Sequence, residues 1–136
     1  MVQFTVPGSP QGKARARTLK SGRSYTPKKT VDYENLVRSC FLKSEHETWF
    51  NKEPLSVQII AHYGIPKSTT KKDRALIADY KLLPTKKPDT DNIAKIVCDA
   101  LNGIAYGDDA QIVRLFVSKD YTVHEPSVEV MIEQVV

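Results

Sequence analysis

The residues whose types and spacing could do chemistry lie in two short stretches, Lys87-Pro88-Asp89-Thr90-Asp91-Asn92-Ile93-Ala94-Lys95 and Asp108-Asp109. Asp89 falls just before a helical pattern and Asp91 in its first turn. Both carboxylates therefore gather at one helix end, near its free N–H groups. On its own a D-x-D in that place is ordinary capping and dipole compensation. Lys95, four residues after Asp91, lies on the same helical face, and its ammonium reaches the space above the carboxylates. Asp108 and Asp109 arrive after Gly103 and a short loop that folds back only partway along the helix. Whether the loop, or the strand it feeds, returns them to the helix start is a tertiary question. If it does, three or four carboxylates converge. At ~4 Å each pair repels by about 4 kcal/mol at an effective dielectric near 20, so the cluster must take up protons, spread into solvent or bind a cation. All-oxygen ligands favour magnesium or manganese over zinc. His46, His62 and His124 are isolated and read as satisfied or surface residues. An EF-hand register starting at Asp89 is excluded, because Ala94 and Ala100 stand where that loop needs its glycine and its last acid.

The elements that must position these residues follow from periodicity. Val2 to Val6 alternate and end at Pro7-Gly8, a first strand. A basic loop at about 8–27 follows. Tyr33, Leu36, Val37, Cys40 and Phe41 recur at spacings of three and four, which predicts a helix from Pro27 to near Trp49. Leu55, Val57 and Ile59 begin a second strand that runs to Tyr63. A basic connection at about 66–88 carries a weak helical pattern, and Thr90 to Leu101 is the clearest helix, with Ile93, Ile96, Val97, Ala100 and Leu101 on one face. Gln111–Lys119 and Ser127–Val135 read as closing strands split by Glu125-Pro126. The order β-α-β-(α)-α-β-β predicts an α+β fold, a small mixed sheet with its two main helices packed on one face, in one domain over residues 1–136.

At 136 residues, 40% hydrophobic and 26% charged, the chain has the composition of a globular protein with room for one core. No segment is long and apolar enough to span a bilayer, and no leader pattern opens the chain. Cys40 and Cys98 have no CxxC partner, which points to a reducing, cytoplasmic compartment. The formal charge is only +4, but it is unevenly placed. Residues 1–30 carry seven bases and no acid, and residues 67–87 carry seven bases against Asp73 and Asp79. Two such segments suggest a polyanion surface, with solvated surplus lysines as the plainer alternative.

The stretch KPDTDNIAKIVCDALNGIAYGDDAQI, Lys87 to Ile112, closely resembles the core motif of RusA-type Holliday-junction resolvases, D-x-D-N-x-x-K followed by D-A-L and D-D-x-Q-[IV]. Upstream, Gly12-Lys13 with Arg15 and Arg17, then Tyr25-Thr26-Pro27, Thr30 and Tyr33-Glu34, are similar to the N-terminal pattern of prophage-borne members. The resemblance implies a homodimeric, magnesium-dependent endonuclease, with manganese as a substitute and no organic cofactor, that nicks a four-way DNA junction symmetrically. It implies catalytic roles for Asp89, Asp91, Lys95 and Asp109, and metal binding by Asp89, Asp91, Asp108 and Asp109. Lys13, Arg15, Arg17, Lys71, Lys72, Lys86 and Lys87 would then neutralise DNA phosphates on either side. Tyr25 and Tyr106 either stack on exposed bases or pack. The alternative is a junction-binding module of the same fold without catalysis; a third reading is a structural protein whose aspartates only cap a helix.

Overall fold

The structure, a computed structural model, describes residues 1–44 and 48–136. His46 lies outside the described residues. In chain order the elements are β1 (Val2–Pro7), β2 (Arg17–Thr18), β3 (Ser24–Tyr25), α1 (Lys28–Leu42), β4 (Leu55–Gly64), α2 (Lys71–Ala78), α3 (Thr90–Leu101), β5 (Ile112–Thr122) and β6 (Ser127–Gln134), with a 3-10 turn at Asp109–Gln111. The four longer strands form one mixed sheet in the order β1-β6-β4-β5. Within it, β4 and β5 run parallel and the other neighbours antiparallel. A parallel pair needs a long crossover, and the chain between them supplies it with α2 and α3. This is the α+β arrangement expected from the sequence.

Alternation sorts the two faces of the sheet. Val2, Phe4 and Val6 of β1, Leu55, Val57, Ile59, Ala61 and Tyr63 of β4, and Val128, Val130 and Ile132 of β6 are buried in one core with the helices. Their neighbours in sequence point to the other, open face. Helix α3 buries Ile93, Ile96, Val97, Ala100 and Leu101, as its period predicts. It packs on α1 and β5, while α1 packs on β1, where Phe4 and Phe41 meet edge-to-face at 5.9 Å. No helix among the described residues is long and apolar enough to cross a membrane.

Two local expectations are corrected, and the short helix expected in the basic connection is found. Helix α1 stops at Leu42, not near Trp49, because its buried stripe is Tyr33, Val37 and Phe41 and then ends. Leu36 stays exposed and Cys40 half-buried. The basic loop contains a small hairpin, with Arg17 opposite Tyr25 and Thr18 opposite Ser24. Its turn is closed by Leu19 N–H to Arg23 O at 2.7 Å and Gly22 N–H to Leu19 O at 2.9 Å, and Gly22 takes a φ of 87° that favours glycine. In the basic connection, α2 spans only Lys71–Ala78, capped by the Thr70 hydroxyl, which accepts from Asp73 N–H at 3.1 Å. None of its residues is buried.

Candidate active site

The turn that carries the D-x-D is fastened from three sides. The Lys87–Pro88 peptide is cis. From β5, Lys119 donates through Nζ to Lys86 O at 2.6 Å and to Pro88 O at 3.1 Å, and from β4 the Tyr63 hydroxyl donates to Pro88 O at 3.2 Å. From the N-terminal side, Lys13 N–H donates to Asn92 O at 3.0 Å. Gly12 lies so close that a Cβ there would stand 2.7 Å from Pro88 Cβ and 3.1 Å from Asn92 Cβ, which only glycine avoids.

Asp89 occupies the N-cap position of α3, yet its side chain makes no capping hydrogen bond. Its carboxylate pairs with Lys87 Nζ at 3.1 Å in the open. Capping therefore does not account for Asp89. Asp91 follows in the first turn, and a cavity of about 340 Å³ opens beside it, lined by Asp91, Ala94, Lys95, Cys98, Asp109, Ile112 and Leu115. Asp109 thus lines the same cavity as Asp91, although its immediate neighbours are Asp108, Asp99 and Asn102 at the far end of α3. Burial, then the neighbouring Asp108 and Asp99 charges, push the Asp109 carboxyl above its ordinary value, and Asn102 offsets them in part. Burial pushes the Cys98 thiol in the cavity wall up to about 11, so it stays protonated.

The other two acids are placed differently. Asp108 caps the 3-10 turn, its Oδ1 accepting from Ala110 N–H at 3.0 Å. Gln111 completes the capping box by accepting from Gly107 N–H at 3.0 Å and Asp108 N–H at 3.2 Å. The Ala110 N–H, then Asp109, hold the Asp108 carboxyl below its usual range. Neither Asp89 nor Asp108 lines the cavity.

Sequence reasoning assigned no role to Asp99. It lies 3.6 Å from Lys95 Nζ, one turn further along α3, and 3.3 Å from Lys13 Nζ. The visible signal was its i,i+4 spacing from Lys95 within the D-A-L segment. Lys13 is also bound to Glu34 at 2.8 Å, and its side chain is only 20% exposed. Burial pulls its ammonium down, but Glu34 and Asp99 more than offset that. Arg15, Arg17, Lys71, Lys72, Lys86 and Lys87 are exposed. Lys86 Nζ stands 5.7 Å and 5.8 Å from the Tyr63 and Tyr121 ring centres. Tyr25 is exposed, whereas Tyr106 is fully buried and donates its hydroxyl to Cys98 O at 2.8 Å. Tyr106 is therefore a core residue.

An oxygen-only pair of acids with incomplete counter-charge fits a hard divalent cation. Among the described residues no three acids, histidines or cysteines stand close enough to hold an ion by themselves.

Comparison with known proteins identifies the family. An uncharacterized protein of Bacillus subtilis (strain 168), YqaN, is 37% identical over 139 residues, covering 98% of this chain and 96% of that protein. The family model described as Endodeoxyribonuclease RusA matches residues 7–133, a span that contains the D-x-D turn, Lys95 and the second acidic pair. The chain belongs to the RusA endodeoxyribonucleases, a family of Holliday-junction resolvases.

Proposed function

We propose that the chain is a magnesium-dependent, structure-selective endonuclease, with manganese as a substitute, that resolves four-way DNA junctions by paired symmetric nicks. One observation carries the reading: Asp91 and Lys95 of α3 face a single cavity with Asp109, which comes from a different segment. Asp91 and Asp109 would hold the ion, with Asp89 and Asp108 at its flanks. Bound there, the metal supplies polarisation of the scissile phosphate and acidification of a water. Lys95, with its side chain 61% exposed, neutralises charge that grows on the phosphate oxygens during hydrolysis. Exposed Asp89 with Lys87, at the mouth of the turn, orients the approaching strand.

Arg15, Arg17, Lys71, Lys72, Lys86 and Lys87 neutralise the phosphates that position the arms. A junction offers two equivalent strands, which a twofold pair of sites matches. Support for a homodimer comes from the free edge of β5, where Val113, Leu115 and Phe116 are 51–59% exposed. Leu115 belongs both to that edge and to the cavity, so pairing of two copies there would set the sites beside the twofold axis.

The test is cleavage of an immobile four-way junction and its linear duplex, with and without magnesium or manganese, beside Asp91→Asn. We expect metal-dependent paired nicks in the junction alone. Asp91→Asn should lower the rate by about 100-fold or more, equivalent to about 3 kcal/mol of transition-state stabilisation, while junction binding persists. Binding without nicks by the unaltered chain would overturn the catalytic reading in favour of a silent junction-binding module.

A further inference from the structure

Lys13 was expected, on charge, to belong to the DNA surface. Its surroundings are those of the active-site scaffold. A lysine that serves phosphates keeps its ammonium in solvent, whereas Lys13 Nζ is held by Glu34 at 2.8 Å and Asp99 at 3.3 Å. The Glu34 side chain is itself only 10% exposed. Withdrawing Lys13 to a phosphate would leave that acid unpaired in a desolvated place, which is strongly unfavourable for a buried charge. The backbone reinforces the seat, since Lys13 N–H reaches Asn92 O and Gly12 abuts Pro88.

The consequence lies on α3. Asp91, Lys95 and Asp99 follow one another at intervals of four on one helical face, so Lys95 has an acid one turn to either side, and its ammonium pairs with Asp99. Of these two acids, Asp91 faces the cavity with Lys95. The other, Asp99, draws Lys95 along the helix and away from Asp91. Asp99 Oδ2 is shared by Lys13, at 3.3 Å, and Lys95, at 3.6 Å, and the Lys95 side chain remains mostly exposed. We propose that Lys13 is a positioning residue that occupies Asp99 and so keeps the Lys95 ammonium available to the cavity. Resting on the nuclease reading above, this assigns the conspicuous Gly12-Lys13 pair to the catalytic scaffold instead of the DNA surface.

Three variants test it: Lys13→Met, Lys13→Met with Glu34→Gln, and these two with Asp99→Asn. The second keeps the fold sound by removing the acid that Lys13→Met strands. At saturating protein we expect it to cleave the junction about tenfold more slowly, with junction affinity and its salt dependence unchanged. Adding Asp99→Asn removes the competitor and should restore the rate to within about threefold of the unaltered chain. If Lys13 instead served a phosphate, the double variant would bind more weakly and the slope of log K against log salt would fall by about one. That result, an unchanged rate, or failure of Asp99→Asn to rescue, overturns the proposal. The Lys95 Cε–Hε NMR signal in metal-free protein gives a readout independent of cleavage: it should move in the double variant and return in the triple. A static signal sinks the positioning role even where cleavage is abolished. A chain that never cuts but shows this movement and return would refute the nuclease reading and leave the Lys13–Asp99–Lys95 relay standing.

Discussion

On the open face of the sheet, His62 of β4 sits between two acids from the neighbouring strands, with Nδ1 2.5 Å from Asp120 Oδ1 and Nε2 3.2 Å from Glu129 Oε2. On the helix face, Asp91 and Asp109 share a cavity that Lys95 also lines, and Asp99 competes for that lysine. Both regions bring carboxylates together through tertiary structure. The first has a histidine between its acids that becomes their counter-charge when protonated, and the ring nitrogens face opposite ways, so no point is shared by all three groups. Nothing is left for an outside cation to do. In the second, the acids Asp108 and Asp99 push on Asp109, and an incoming ion or a proton relieves them. Acid content alone does not distinguish a structural cluster from a working one; the balance of charge around it does.

The sharpest way to break this contrast is Asp109→Asn. Cleavage should fall by about 100-fold or more, as expected when a metal-holding acid is removed. The same change removes a repelled charge, so in metal-free solution the variant should melt higher than the unaltered chain near neutral pH. Magnesium or manganese should raise the melting temperature of the unaltered chain alone, since a ligand stabilises only a state that binds it. A variant that melts lower without metal would show that Asp109 is satisfied in the way Asp120 is.

How much of this was legible depends on the range of the interactions. Helix α3 was read to within its observed ends because Ile93, Ile96, Val97, Ala100 and Leu101 repeat at helical spacing. Asp91 and Lys95 are neighbours on that helix and needed only local geometry. The capping role of Asp108 was legible too, since Asp followed three residues later by Gln is a capping-box signature, but the D-D pair drew attention to metal binding. Return of Asp109 to the cavity, by contrast, depends on where β5 joins the sheet. The His62 cluster needs the register of three strands, Asp120 opposite His62 and Glu129 one diagonal away, and no pattern within one segment encodes it. Lys13 and Asp99 lie 86 residues apart in sequence. Charge counting therefore placed Lys13 with Arg15 and Arg17 on the DNA surface. The β2–β3 hairpin escaped for another reason: its strands are two residues each and none of their residues is buried, so they have no buried face to mark them.

A smaller effect separates Lys13 from its neighbours. Arg15 and Arg17 are exposed, and replacing each by Gln should weaken junction binding and reduce the salt slope by about 0.9 for every phosphate left without its arginine. The maximal cleavage rate should hardly change. Titration of binding against salt for the two single variants and their combination measures this directly. Slopes equal to that of the unaltered chain would remove both arginines from the interface and leave that role to Lys71, Lys72, Lys86 and Lys87.

The least disruptive change, His62→Gln, tests the self-neutralised side of the comparison. Burial lowers the histidine's affinity for its proton, but the hydrogen bonds to Glu129 and Asp120 and their charges more than offset it, so its pKa stands above the ordinary value of 6.5. For a base raised by folding, the protonated form is the one the fold favours. Its contribution is complete below the unfolded value and disappears as pH rises through the folded one. The unaltered chain should therefore lose melting temperature as pH is raised from about 6 through the weakly alkaline range. His62→Gln keeps one hydrogen bond but no charge, and its profile over that window should be flatter, with cleavage at a fixed pH little altered because the cluster lies across the sheet from the cavity. Parallel profiles would mean that His62 is not charged between its acids. The distinction drawn between the two acid regions would then need another cause.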